Sequence, residues 1–300
     1  MRDGVIAIDK PEGFTSFDVV AKVRGMLHIR RVGHAGTLDP MATGVLPVFI
    51  GRGTKACDIL PVQDKRYTAA LRLGITTDTQ DITGTVLTER PVAVSEAAFR
   101  EAVNSFVGKQ LQLPPMYSAV KVGGKKLYEI ARQGGTVERT PRPVTFYSIE
   151  ILRFDGREAV LDVRCSKGSY IRTLAHDIGE KLGCGAVLTA LRRTEAAGFT
   201  PEDCITLESL AALAEEGRAE EAVLPVERLF RTLEKTGLPA GLDRLYQNGV
   251  RLECCRLGIP ADGAETAVYD AGGNFLGVGV RDTASGCLIG RKLFRLDGPQ

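Results

Sequence analysis

Apolar positions along this chain recur either at every second residue or at every third to fourth, and the two periods predict its elements. GVIAI at 4–8 reads as a short strand. KPEGFTS then turns the chain, with Thr15 or Ser16 placed to cap an amphipathic helix over FDVVAKVRGMLH. GVLPVFIG (44–51) reads as a strand. Its Pro47 suggests an edge or a bulge, because proline donates no ladder hydrogen bond. KRYTAALRLGI (65–75) alternates as a strand, TTDTQDITG (76–84) is polar and turn-rich, and TVLTE resumes as a strand. SEAAFREAVNSFVG is a capped helix that starts at Ser95 and ends at Gly108, with Ala98 where a capping-box acid would stand.

Residues 114–145 break the pattern. Paired prolines, glycine pairs and lysines surround one helical stretch, KLYEIARQ, which predicts a mobile basic insertion. Strands resume at VTFYSIEILRFDG and EAVLDVRCS, and SYIRTLAHDIGEKLG is a helix ending at Gly183. Further helices are predicted over 206–217 and 225–235. Near TGLPAG (236–241) the composition shifts. One helix, LDRLYQNG, is followed by the short strands ETAVYD, NFLGVGVRD and CLIGRKLFRL, with AGGN as a hairpin turn. The expected architecture is α+β, a central, mostly antiparallel sheet flanked by helices over 1–236, followed by a small β module over 237–300.

At 300 residues, 44% hydrophobic and 25% charged, the chain can bury a sizeable core. No apolar run reaches membrane-spanning length, and the N-terminus lacks the long apolar region of a signal peptide, so a cytosolic protein with no membrane partner is expected. Seven scattered cysteines contain no CxxC pair and the three histidines are not at ligand spacing, which argues against a structural metal and for reduced, packed thiols. The net charge of +2 is uninformative, but its distribution is not. Residues 116–146 and 164–193 each hold six Lys/Arg against two acids, whereas 201–235 hold nine acids against four bases. The two basic stretches suit a polyanion, although most charge runs are simply solvated faces.

The densest chemistry lies in GHAGTLDPMATG (33–44). Asp39 sits in a turn of small residues that can hold a carboxylate rigid beside a bulky substrate. Taken alone, an Asp-Pro pair is most often a helix start, with Asp as cap and Pro in the first turn. His34, taken alone, is a structural histidine, and Tyr67 and Leu191 are core residues of a strand and its neighbourhood.

Six ordered segments change that balance: KPEGFTSFDVV (10–20), GHAGTLDPMATGVLPVFIGRGTKA (33–56), KRYTAALRLGITTDTQDITG (65–84), LPPMYSAVKVGGKKLYEIARQG (113–134), SKGSYIRTLAHDIG (166–179) and LTALRRTEAAGF (188–199). Together they resemble the TruB family of tRNA pseudouridine-55 synthases, and the tail from about 237 is similar to a PUA module, an RNA-binding β-barrel. One departure is Phe17, where the family often has His; it is expected to pack beside the site.

The resemblance implies a pseudouridine-synthase fold, tRNA as the partner through its T arm and elbow, and conversion of uridine 55 to pseudouridine. It implies no cofactor and no metal, and we expect a monomer. It assigns Asp39 as the essential carboxylate, Arg172 as its basic partner and Tyr67 as the ring that stacks on the target base, with its hydroxyl a candidate acid/base for the C5 proton. Tyr170 and Leu191 complete the pocket, and His34 fills the space left by the flipped nucleotide. An opposite charge beside Asp39 is expected to lower its pKa. Lys121, Lys125, Lys126, Arg132 and Arg139 are expected to close over the T arm, and Arg192 and Arg193 to touch phosphates.

Overall fold

The computed structural model describes residues 3–294. Its larger sheet is built from β1 (Gly4–Lys10), β2 (Val32–His34), β3 (Thr43–Ile50), β4 (Lys65–Leu73), β7 (Gly108–Gln112), β10 (Arg142–Phe154), β11 (Glu158–Cys165) and β12 (Ala186–Ala196). Two small hairpins interrupt it: β5 (Ile75–Thr77) with β6 (Val86–Glu89), and β8 (Lys121–Val122) with β9 (Lys125–Lys126). The strand order is β1-β3-β12-β4-β11-β10-β7, with β2 paired to β3. Only the short contact between β12 and β3 is parallel.

Alternation along the strands sorts the two faces. Ile6, Ile8, Leu46 and Val48 pack under α1 (Ser16–Leu27) and α5 (Leu207–Glu215). On the same face, Tyr67, Leu71, Phe146 and Leu191 pack under α2 (Glu96–Asn104) and α4 (Ile171–Lys181). The 33–44 turn enters this helix-bearing face between the two groups, through the buried side chains of Leu38 and Ala42. A full capping box starts α1: the Thr15 hydroxyl accepts from Asp18 N at 3.1 Å, and the Asp18 carboxylate accepts from Thr15 N at 2.8 Å.

Several predicted details differ. Pro47 is not on an edge, since β3 lies between β1 and β12. Its carbonyl accepts from Ala35 N at 3.2 Å, so its nitrogen faces the same side. There it meets the gap between the pairing with β12 at Thr43–Gly44 and that with β2 at Val48–Ile50, where no donor is needed. α2 stops at Asn104, and Gly108 instead opens β7, the edge strand of the sheet. β10 begins at Arg142, which shortens the insertion and leaves it the β8–β9 hairpin and α3 (Leu127–Arg132).

The helix predicted over 225–235 is a 3-10 turn, Val226–Phe230, followed by the strand β13 (Glu234–Gly237). Pairing overrides local preference here: β13 lies parallel to β15 (Glu265–Tyr269), and the Thr236 and Thr266 hydroxyls bond at 2.7 Å in a buried position. β13 thus belongs to the C-terminal sheet, with order β13-β15-β16-β17-β14, where β14 is Leu252–Glu253, β16 Phe275–Asp282 and β17 Cys287–Leu293. Residues 295 and 296, the end of the last predicted strand, lie outside the described residues. This sheet covers the other face of β1 and β3, where Ala267, Tyr269, Val278 and Phe294 share one core with Val5, Phe49, Phe199 and Phe230.

Candidate active site

The turn that carries Asp39 is held from three sides by the first segment of the chain. Lys10 Nζ, fully buried, donates to Pro11 O at 2.8 Å, Phe14 O at 2.6 Å and Pro40 O at 3.3 Å. Gly13 N donates to Pro40 O at 2.9 Å. Ser16 Oγ accepts from Leu38 N at 2.9 Å and lies 3.2 Å from Leu38 O. No helix follows Asp39: its carbonyl accepts from Ala42 N at 3.0 Å and β3 starts at Thr43. The capping role that an arbitrary Asp-Pro would have is therefore absent, and the carboxylate is free for another partner.

That partner is Arg172, in the first turn of α4. Its Nε lies 2.9 Å from Asp39 Oδ2, and its Nη2 donates to Asp39 Oδ1 at 3.3 Å. The Arg172 side chain is 5% exposed, while Asp39 keeps 36% of its side-chain surface open. Arg172 is fixed elsewhere too: Nη1 donates to Thr79 O at 2.9 Å, Nη2 to Tyr117 O at 2.8 Å, and Asp81 Oδ2 stands 3.5 Å from Nη1. One guanidinium thereby joins the Asp39 turn, the 76–84 loop and the start of the insertion.

Asp81 was not singled out by sequence reasoning. It is buried, and its Oδ1 accepts from Thr79 Oγ1, Thr83 N and Thr83 Oγ1 at 2.9, 3.0 and 2.6 Å. The available signal was a lone acid inside a run of threonines, which also reads as an ordinary turn. The expected lowering of the Asp39 pKa is reversed. Burial pushes the carboxyl above its ordinary value, Arg172 opposes that shift, and the Asp81 charge adds to it.

Across the sheet Tyr67 on β4 stands opposite Arg193 on β12, and Ala69 opposite Leu191. Residues directly opposite one another share a face, so Tyr67, Leu191 and Arg193 all point toward the Asp39 turn. Tyr67 and Leu191 are buried against Leu38 and Ala42. Burial raises the Tyr67 phenol above its ordinary value, with Arg193 working against it. Tyr170 precedes α4, and its backbone is clamped by the buried Gln112 side chain, N to Oε1 at 2.8 Å and O from Nε2 at 3.0 Å. His34 ends β2; burial, then the nearby Arg193 charge, lower its pKa.

The structure separates the two arginines expected on phosphates. Consecutive strand residues face opposite sides, so only one can belong to each face. Arg192 turns to the other face and pairs with Asp9 at 2.8 and 3.1 Å. Arg193 is fully buried, with Nε donating to Val45 O at 2.8 Å and neither Nη bonded, and it has no surface to offer a phosphate. Two glycines make room for it. A Cβ at Gly44 (φ +99°) would meet Arg193 O at 2.2 Å, and one at Gly36 (φ +76°) would come within 3.2 Å of Nη1.

Lys10 is a second buried cation that sequence reasoning passed over. Burial pulls its pKa down to about 8, against the raising influence of Asp39. Lys121 and Lys125 are exposed on the insertion hairpin, with Lys126 half-buried beside Tyr128. Arg132 lies 5.5 Å from the Tyr128 ring centre, and Arg139 is tied to Pro114 O at 2.9 Å.

The arrangement presents one partly open carboxylate, held in place by a buried guanidinium, on the sheet face that also carries an aromatic ring and an aliphatic side chain. Comparison with known proteins fits this chemistry. Residues 24–171 match the family model of the TruB family pseudouridylate synthase N-terminal domain, and residues 172–231 match that of the tRNA pseudouridylate synthase B C-terminal domain. A protein of Alkaliphilus oremlandii named tRNA pseudouridine synthase B is 47% identical over 250 residues, covering 83% of each chain. One of the same name from Ralstonia nicotianae is 46% identical over 283 residues, covering 92% of this chain and 89% of the other. Among solved structures, the chain superposes on a Cbf5-Nop10-Gar1 complex with a TM-score of 0.73 and 27% identity, covering 97% of this chain and 84% of that one.

Proposed function

The chain belongs to the TruB family of pseudouridylate synthases, and from that premise we propose that it isomerises uridine 55 of tRNA to pseudouridine, with Asp39 as the group that opens the N1–C1′ bond. The observation that carries this reading is the clamp on Asp39: a carboxylate held by Arg172 at 2.9 Å, yet open over a third of its side chain. A carboxylate so held can attack C1′ or remove the 2′ proton, and both routes require its ionised form. Arg172 favours that form against the burial of the site.

Once N1 is free, nothing covalent retains the uracil. The Tyr67 ring and the Leu191 side chain hold it between them while it turns to present C5 to C1′. The Tyr67 phenol, raised by burial, enters protonated, as a stacking face and a hydrogen-bonding hydroxyl. The C5–C1′ bond then forms with regeneration of the Asp39 carboxylate, the C5 proton passes to water and N1 takes up one proton, so the product is an isomer of the substrate. Extruding the uridine from its loop costs a few kcal/mol. A base stacked on an aromatic ring recovers about 1–3 kcal/mol, so Tyr67 together with His34 in the vacated position offsets the cost.

The exposed lysines of the insertion hairpin and the C-terminal sheet, taken as a PUA-like module with Arg244, Arg251 and Arg256 at its surface, supply sequence-independent contacts to the RNA backbone. The test is to incubate the protein with a tRNA transcript and map pseudouridine by carbodiimide adducts that stop reverse transcription. A stop at position 55 is expected. A stop elsewhere would contradict the assigned position, and no stop at all would contradict the activity.

A further inference from the structure

Phe17, expected to pack beside the site, does so only through the edge contact of its ring with His34. It is 70% exposed, the most open aromatic ring among the exposed large apolar side chains of the described residues. Its ring meets His34 edge-on, with centroids 5.7 Å apart and planes at 87°. The contact is between two uncharged rings, because burial and Arg193 both disfavour the imidazolium of His34.

The position of Phe17 is fixed rather than incidental. Thr15 and Asp18 close a capping box around it, and its neighbour Ser16 bonds the backbone of Leu38, the residue before Asp39. The ring is therefore anchored to the same turn that carries the reactive carboxylate. Downstream, Lys22, Arg24, Arg30 and Arg31 are exposed, and no acid occurs between 22 and 31.

From these observations we propose that Phe17 is a base-stacking residue of the RNA site. Its open ring face receives an unpaired nucleobase from the same loop that delivers the target uridine, on the outer side of His34, and the cations from Lys22 to Arg31 follow the adjoining phosphates. The alternative to stacking is an apolar ring left in water, followed along the chain by exposed cations, and an RNA loop offers both a flat π face and a negative backbone. The inference rests on RNA being the substrate, but not on Asp39 being the catalytic group.

The protein contains no tryptophan, so Phe17→Trp introduces a single fluorescent reporter. Titration with a tRNA T-arm stem–loop should quench its emission at the same RNA concentrations at which a labelled stem–loop shows binding by anisotropy. Phe17→Ala and Phe17→Leu should each raise KM by roughly five- to 150-fold, the range one base–aromatic stack supplies. Their single-turnover rate at saturating RNA should fall by less than about twofold, and Phe17→His should recover most of the KM. Thermal melting should be the same for all variants, because the side chain is mostly in water.

Unchanged KM in both Phe17→Ala and Phe17→Leu would overturn the proposal. So would indole emission that ignores RNA already bound by anisotropy, which would leave the ring to a protein partner or to no partner. Failure of the functional reading is a separate result: unmodified protein that forms no pseudouridine.

Discussion

Arg172 grips Asp39 through two nitrogens, Nε at 2.9 Å and Nη2 at 3.3 Å, and spends its remaining donors on the Thr79 and Tyr117 carbonyls. The Asp39 carboxylate, the 76–84 loop and the start of the insertion therefore share one buried cation. Movement of the insertion or of the 76–84 loop reaches Asp39 through it.

Replacing Arg172 by Gln should lower the single-turnover rate by roughly ten- to 100-fold, the loss expected for charge-assisted hydrogen bonds worth about 1.5–3 kcal/mol. The sign of the pH effect follows from the working form. Activity needs the carboxylate, so it is present above the Asp39 pKa and lost as pH falls through it. Burial places that pKa above the ordinary aspartate value, so the acid limb of the rate profile should lie above about pH 3.9. Arg172→Gln removes the opposing influence and should move the limb to still higher pH. A limb that stays in place or moves down would contradict the pairing.

Arg193 and Arg192 should part company on mutation. Arg193 is fully buried with two unbonded nitrogens, and a buried charge without a partner is costly. Arg193→Met keeps the volume and removes the charge, so Tm should hold or rise, by the equivalent of about 1–4 kcal/mol at most, while the single-turnover rate falls. Arg192→Ala breaks a half-buried but solvent-screened pair with Asp9 and should change stability by about 1 kcal/mol at most. Differential scanning calorimetry of both variants, with their rates, checks the pair of outcomes; a large drop in Tm for Arg193→Met would contradict the first.

The C-terminal sheet should not be separable. Ending the chain at residue 233 removes Ala267, Tyr269, Val278 and Phe294 from a core they share with Phe49, Phe199 and Phe230. Large apolar side chains each lose about 1.5–3 kcal/mol when uncovered, which exceeds the usual margin of stability when several are lost together. The expected product is aggregated or melts far below the full chain. A soluble fragment with native-like melting would show that the two sheets are independent units.

Much of this was legible in the residues. Period-two alternation located β4, β11 and the C-terminal strands, and the Thr15–Ser16 pair marked the start of α1. The hidden parts have physical causes. β7 is an edge strand whose inward positions hold glycine and glutamines and whose Leu111 is exposed, so no apolar alternation marks it. β12 carries two irregularities, between Leu188 and Ala190 and between Arg193 and Glu195, which break the alternation that would have marked it as a strand. Without that strand, Arg192 and Arg193 read as one basic pair, although the backbone sends them to opposite faces. Asp39, Arg172, Tyr67 and Leu191 could be named from their motifs. Asp81, Lys10 and the buried state of Arg193 depend on contacts across 30 residues or more, which no local pattern records.

The most direct measurement is tritium release from a tRNA transcript labelled at uracil C5, comparing the intact protein with Asp39→Asn. Forming the C5–C1′ bond must expel that hydrogen, and the amide keeps the shape of the side chain while losing the charge. The account predicts release of one tritium per tRNA by the intact protein and none by Asp39→Asn, with RNA affinity nearly unchanged. Release by Asp39→Asn at the rate of the intact protein would contradict the role given to Asp39.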